Sequence, residues 1–325
     1  MRVAISGACW SSHSAKWLYA LETDDIAGLF ALEADGSQEQ RLFHTSDFNF
    51  RDLSADPDGD LIACSLVRNG GSNLAIIRTN GKDFNEITEG DSIDLAPSWV
   101  PGKPNMIVFQ SAGIARNQKG QQSGRGPFAI HQLSIETADM TTLAEEKNFD
   151  LLGPKVNSSS TLFYIRRPYR SGQEPVSWWR FILDILLLPF RALYAIFQWM
   201  NFFSVKYTGR PLSTSGNAQM REQDVKQMMI WGNLIDASAA AKGQSGEDAP
   251  ALVPKSWELV RQDQNGQTEV VARGVLSFDL CPDDSIIYSN GSAVYRLDRD
   301  GKSSQLLKHQ LIEHVVARSG STSNL

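Results

Sequence analysis

A chain of 325 residues, 42% hydrophobic and 21% charged, is long and apolar enough to bury one large core or two small ones, which excludes disorder as its default. Its 37 acidic against 31 basic residues give a net charge of −6, so there is no basic field for nucleic acid and no DNA or RNA partner is expected. Cys9, Cys64 and Cys281 stand far apart without a C-x-x-C pair, which excludes a disulfide framework and a zinc site and predicts reduced core thiols.

In chain order, MRVAISGACWSSHSAKW carries one arginine and then a polar run, where a secretion signal needs about 7 to 15 apolar residues. The expectation is a cytoplasmic protein. Residues 1–45 read as short strands, RVAISG, KWLYALE, GLFALEADG and QEQRLF, separated by polar turns. The same order recurs twice, over 50–88 and 94–143. A fourth repeat opens at 149 with FDLLGPKVNSSS and LFYIRRP and resumes at 256 with SWELVRQDQNG and TEVVARG. VLSFDLCPDD, SIIYSNG, AVYRLDRDG and SSQLLKH make the fifth, and LIEHVVAR at 311–318 is expected as a closing strand.

The turn between the first and second strand of a repeat lies near Pro57, Pro101, Asn157 and Pro282, at spacings of 44, 56 and 125. Removing an insertion of about 80 residues brings the last near 45, and a period of about 40 to 45 with four strands is that of a propeller blade. The third strand of a repeat ends in Asp35-Gly36, Asn80-Gly81, Asn265-Gly266 or Asp300-Gly301, which predicts type I′ hairpin turns. The fold expected is all-β, a β-propeller of five or six four-stranded blades with an inserted amphipathic-helical segment. Residues 1–170 hold blades one to three and the first part of four, 171–254 the insertion, and 255–325 the remaining strands.

The stretches DLAPSWVPG at Asp94 to Gly102 and LSADPDG at Leu53 to Gly59, with fainter echoes at Trp10 to Ser14 and Leu280 to Asp284, resemble the TolB-type, or PD40, WD40-like propeller repeat. The resemblance spans about three quarters of the chain at repeat level, and it implies fold far better than function. This chain is expected to depart from the periplasmic members in lacking a secretion signal, and it carries a large apolar insertion, so their partners are not carried over.

The insertion opens with SWWRFILDILLLPFRALYAIFQWMNFFSV at 177–205. At about 100° per residue on a helix, Arg180, Asp184, Arg191 and Gln198 fall within roughly 40° of one another as one polar stripe. A membrane crossing needs about 20 mostly apolar residues, and each central charge costs roughly 2.5 to 3.5 kcal/mol. Asp184 and Arg191 therefore argue against a crossing, as do the repeats that resume after the block. An in-plane helix broken or kinked at Pro189 fits better. Its membrane- or partner-binding residues would be Trp178, Trp179, Phe181, Ile182, Leu186, Leu187, Phe190, Leu193, Ile196, Phe197, Trp199 and Phe202. Arg221 to Ala241, with Val225, Met228, Met229, Gly232 and Ile235 at helical spacing, predicts a second amphipathic helix, and AKGQSGEDAPALVP reads as a flexible return.

Asp52, Asp94, Asp150 and Asp279 fall in first strands, which line the channel of a propeller, where carboxylates could bind a cation or do acid and base work. Such repeated aspartates also tie neighbouring blades through hydrogen bonds. The five histidines show no metal-binding helix motif, no nucleotide or nucleophile motif appears, and no cofactor is expected. QKGQQSGRGP at 118–127 reads as a long loop between strands. Two functions compete. The first is a non-enzymatic propeller scaffold or interaction protein, held peripherally on a membrane surface or membrane-protein complex by the insertion helix. The second is a propeller-type hydrolase using the channel carboxylates.

Overall fold

A computed structural model describes residues 3–68, 71–170, 227–230, 233–236, 249–309 and 311–318. The chain divides into two compact bodies, Met1–Ser171 with Ser238–Leu325, and Gly172–Ala237. In the second, β16 (Gln227–Ile230) pairs antiparallel with β17 (Asn233–Asp236), Met228 opposite Ile235. This corrects the second amphipathic helix expected over 221–241. Short apolar runs satisfy helical and strand periods alike, and here cross-strand pairing wins. The apolar block at 177–205, with its twelve candidate residues, lies outside the described residues.

Among the described residues the strands of the first body fall into five antiparallel groups, sheets one to five, of which the second and third are joined into one nine-stranded sheet by a single parallel pair, Ser72 opposite Ile93. Sheet one is β1 (Ala4–Ser11), β2 (Lys16–Glu22), β3 (Ala27–Glu33) and β4 (Glu39–Thr45). Sheet two is β5 (Asn49–Ala55), β6 (Leu61–Arg68), β7 (Gly71–Arg78) and β8 (Asn85–Glu86). Sheet three is β9 (Ser92–Trp99), β10 (Met106–Arg116), β12 (Ala129–Ser134) and β13 (Met140–Ala144), with β11 (Gln122–Arg125) folded back on the end of β10. The Gly-rich 118–127 stretch is thus partly a hairpin, since residues past Gly113 extend β10 beyond its neighbours. Sheet four is β14 (Phe149–Val156), β15 (Leu162–Pro168), β18 (Glu258–Gln262) and β19 (Thr268–Arg273), so the insertion interrupts it between second and third strands. Sheet five is β20 (Ser277–Leu280), β21 (Ile286–Ser289), β22 (Ala293–Leu297) and β23 (Ser303–Lys308).

The strand patterns follow burial. Along β2, Leu18 and Ala20 are fully buried while Trp17 and Tyr19 are half-buried, the alternation of a strand with one packed face. β6 is apolar apart from Ser65 and Arg68, and Ile62 to Leu66 are buried because sheets lie against both of its faces. Leu18, Leu29, Phe50, Ile62 and Leu66 form the cluster between sheets one and two. Trp99, Ile107 and Phe109 meet Ala63 and Leu74 between two and three, and Ile130 meets Leu151, Tyr164 and Val260 between three and four. Burying one such side chain stabilises by about 1.5 to 3 kcal/mol.

Two details differ from the sequence reading. Gly36, Gly81, Gly266 and Gly301 have φ of 74°, 79°, 79° and 76°, but the residues before them do not have positive φ. Each hairpin is therefore a type I turn followed by a left-handed glycine, with Gly301 N–H donating to Asp298 C=O at 2.9 Å, and not type I′. Residues 311–318 form no strand: their polar backbone groups bond to side chains and a turn of sheet five rather than to a ladder. The return from the insertion is also not a loose linker at its end. Ala249, Ala251 and Val253 are buried, and Asn290 Nδ2 donates to Ala249 C=O at 3.0 Å.

Candidate functional site

The first strands of sheets two, three and four share one irregularity. In each, two residues oppose one on the second strand: Asp52 and Leu53, Ala96 and Pro97, Gly153 and Pro154. The leading residue of each pair is left-handed, with φ of 50°, 52° and 58°. This bulge turns the amide sideways, and the preceding sheet accepts it. Ala96 N–H donates to Asp52 Oδ2 at 3.2 Å and to Ser65 Oγ at 3.1 Å, and Gly153 N–H donates to Gln110 Oε1 at 2.7 Å. Between sheets one and two the approach is closer still. A Cβ on Gly7 would lie 2.9 Å from Asp52 N, so only glycine fits there.

The four candidate carboxylates sit on this frame. Asp52 also accepts from Ser65 Oγ at 3.3 Å. Asp94, buried, accepts from Ser111 Oγ at 2.6 Å, and its C=O accepts from Ser72 Oγ of sheet two at 2.9 Å. Asp150 is fully buried and takes both arms of Arg125 from sheet three, at 2.8 and 2.9 Å, with Arg167 Nε at 3.1 Å and Phe128 N–H at 3.0 Å. Asp279 meets Lys155 Nζ of sheet four at 3.0 Å and accepts from Leu280 N–H at 2.9 Å and Ala317 N–H at 2.7 Å. Three of the four thus bridge sheets through their carboxylates, and Asp94 does so through its backbone.

Electrostatics follow from these contacts. Burial alone would push the Asp150 carboxyl up, but Arg125, Arg167 and the Phe128 amide outweigh it and hold the group below the usual carboxylate value. Asp52 goes the other way: burial raises it, against the pull of His314, the Ala96 amide, Arg51 and Ser65. The Cys9 thiol is pushed up to about 12, chiefly by burial, and the charges of Lys155 and Asp279 both reach it. Among the described residues no group of three or more His, Cys, Asp or Glu could hold a metal ion.

Sequence reasoning missed Arg125, Arg167 and Gln110. Arg167 had a signal: adjacent arginines in the strand LFYIRRP must point to opposite faces, so one of them enters the packed side and needs an acid. Arg125 had none, because its pairing with Asp150 depends on the β10–β11 hairpin. The same arginine anchors the edge of the insertion. Tyr169 donates its hydroxyl to Arg125 C=O, and the guanidinium lies 5.4 Å from the Tyr169 ring centre and 4.4 Å from that of Phe128.

Successive four-stranded antiparallel sheets bridged through their first strands fit a β-propeller. No protein-family model matches the chain, and none of the curated proteins does. Among solved structures it is similar to TolB from Acinetobacter baumannii, at 11% identity and a TM-score of 0.53, over 97% of this chain and 58% of that one. It is similar also to a chain of a nidogen/laminin complex, at 8% identity and a TM-score of 0.54, over 96% of this chain and 84% of that one. The resemblance to TolB-like β-propellers therefore holds at the level of fold, and this chain spans less than two thirds of the TolB chain.

Proposed function

We propose that this protein is a non-enzymatic β-propeller scaffold of five blades, held on the cytoplasmic surface of a membrane by its insertion and offering its faces to protein partners. The observation that carries the scaffold reading is the state of Asp150. A carboxylate with two arginines and an amide on it is a structural tie, and the other three candidates are likewise engaged. A hydrolase would need two carboxyl groups about 5 to 9.5 Å apart that are open to water and substrate. The geometry does not favour that alternative.

The membrane reading rests on the sequence of the insertion, with Trp178, Trp179 and Trp199 for the headgroup level and a narrow polar stripe through Asp184 and Arg191. The test is flotation of the full-length protein with neutral and anionic liposomes, beside a variant carrying Leu187→Glu and Ile196→Glu. Only the native protein should float, with the unfolding transition of the propeller unchanged in the variant. If the native protein stays at the bottom with both lipids, membrane attachment is wrong and the block serves as a protein interface. A hydrolytic activity lost in Asp94→Asn or Asp150→Asn without loss of fold would overturn the scaffold reading itself.

A further inference from the structure

Sheets one and five are each complete within their own stretch of chain, residues 4–45 and 277–308. Among the described residues neither borrows a strand from the other, so something other than a shared sheet must join the last to the first. Residues 311–318 run between them. His309 N–H donates to Ser292 C=O at 3.0 Å as the chain leaves β23, and Ile312 N–H donates to Gly291 C=O at 2.8 Å. The buried Ser289 hydroxyl donates to Ile312 C=O at 2.7 Å. Further along, Ala317 N–H reaches Asp279 Oδ2 on the first strand of sheet five, and the Arg318 guanidinium lies 4.3 Å from the ring centre of Trp10, near the end of β1. The segment therefore crosses sheet five from its outermost to its innermost strand and ends on sheet one.

We propose that residues 311–318 are a releasable strap that latches sheet five to sheet one. Two features make it releasable. It is held without a strand ladder, through hydrogen bonds and a cation–π contact beside the partial burial of Ile312, Val315 and Val316, and Leu311, Glu313, His314 and Arg318 are exposed. Its seat is buttressed by the chain that leads into the third strand of sheet four: Gly291, at φ 96°, has the side chain of Leu252 where a Cβ would lie, 2.7 Å away. That packing fixes the 289–292 turn from the other side, so the seat does not depend on the strap. Release would part the first strands β1 and β20 and leave sheets two to four, which have their own apolar clusters, in place.

The experiment is amide hydrogen exchange on the full-length protein and on a variant carrying Ala317→Pro and Arg318→Ala, which removes the N–H given to Asp279 and the cation over Trp10. Exchange in β1 and β20 should quicken at least tenfold while β6 and β7 stay protected. A synthetic peptide spanning Leu311 to Arg318 with the native sequence, added in excess to the variant, should restore most of that protection. Unchanged exchange in the variant overturns the strap, and so does a uniform rise over all five sheets, which would make the segment ordinary packing. If the variant does not fold, the native protein decides in sub-denaturing urea. The amides of Ile312 and Ala317 should open together with β1 and β20 before global unfolding, and opening only with the global transition overturns the proposal.

Discussion

Asp150 and Arg125 face each other across the boundary of sheets four and three as a two-armed ion pair, at 2.8 and 2.9 Å, with the carboxylate fully buried. Arg167, on the strand next to Asp150, is itself almost wholly buried and depends on the same carboxylate. Replacing Asp150 by asparagine removes the negative charge from this buried group of ion pairs, and breaking a buried pair from one side costs about 3 to 5 kcal/mol. Asp150→Asn should lose that much in urea unfolding. Adding Arg167→Met should recover part of it, and strict additivity of the two changes would contradict the pairing.

The pH dependence of Asp150 follows from its lowered native value. Such a group contributes stability above its unfolded pKa and loses it as pH falls through the native one. The gap between native protein and Asp150→Asn should therefore be widest near neutrality and narrow in acid, as read from urea midpoints over a pH series.

Asp52 has the opposite sign. Its native value is raised, so its contribution is present below the unfolded pKa and is lost as pH rises through the native one. Asp52→Asn keeps an acceptor for the Ala96 amide and cannot ionise. The variant should gain on the native protein as pH rises from acid to neutral, whereas parallel stability curves would show that burial does not govern this carboxyl.

Gly7→Ala puts a methyl group 2.9 Å from the backbone nitrogen of Asp52 and 3.1 Å from that of Leu53, and backbone cannot swing aside as a flexible side chain can. Overpacking of this kind costs about 1 to 3 kcal/mol. Thermal unfolding should show a loss in that range, with the same substitution at Gly113, where a Cβ meets nothing within 4 Å, costing much less.

Thiol labelling separates the three cysteines. Cys9 and Cys64 are buried with thiols pushed up by burial, whereas Cys281 is half-exposed. In the native protein Cys281 should react first, and Cys9 and Cys64 should react only as the protein unfolds. Early labelling of Cys9 would mean that the first strands part readily.

Much of this architecture was legible without coordinates, because a strand's alternation and a turn's glycine are local. The five repeats, the turns near Pro57, Pro101, Asn157 and Pro282, and the interruption of the fourth repeat all follow from patterns a few residues long. Positions of Asp52, Asp94, Asp150 and Asp279 in first strands follow too. Their partners do not, since Arg125 reaches Asp150 from 25 residues away and Ala317 reaches Asp279 from 38, and no local rule measures such separations. Where local signals were ambiguous the tertiary structure decided. The apolar pattern at 227–236 satisfied a helix and became a hairpin, while LIEHVVAR had the composition of a strand but gives its Ile312 and Ala317 amides to the Gly291 carbonyl and the Asp279 carboxylate. Chain chemistry alone determined the repeat and its strands. Only packing decided which aspartates became ties and what spans from the last sheet to the first, because both depend on groups brought together by the closing of the fold.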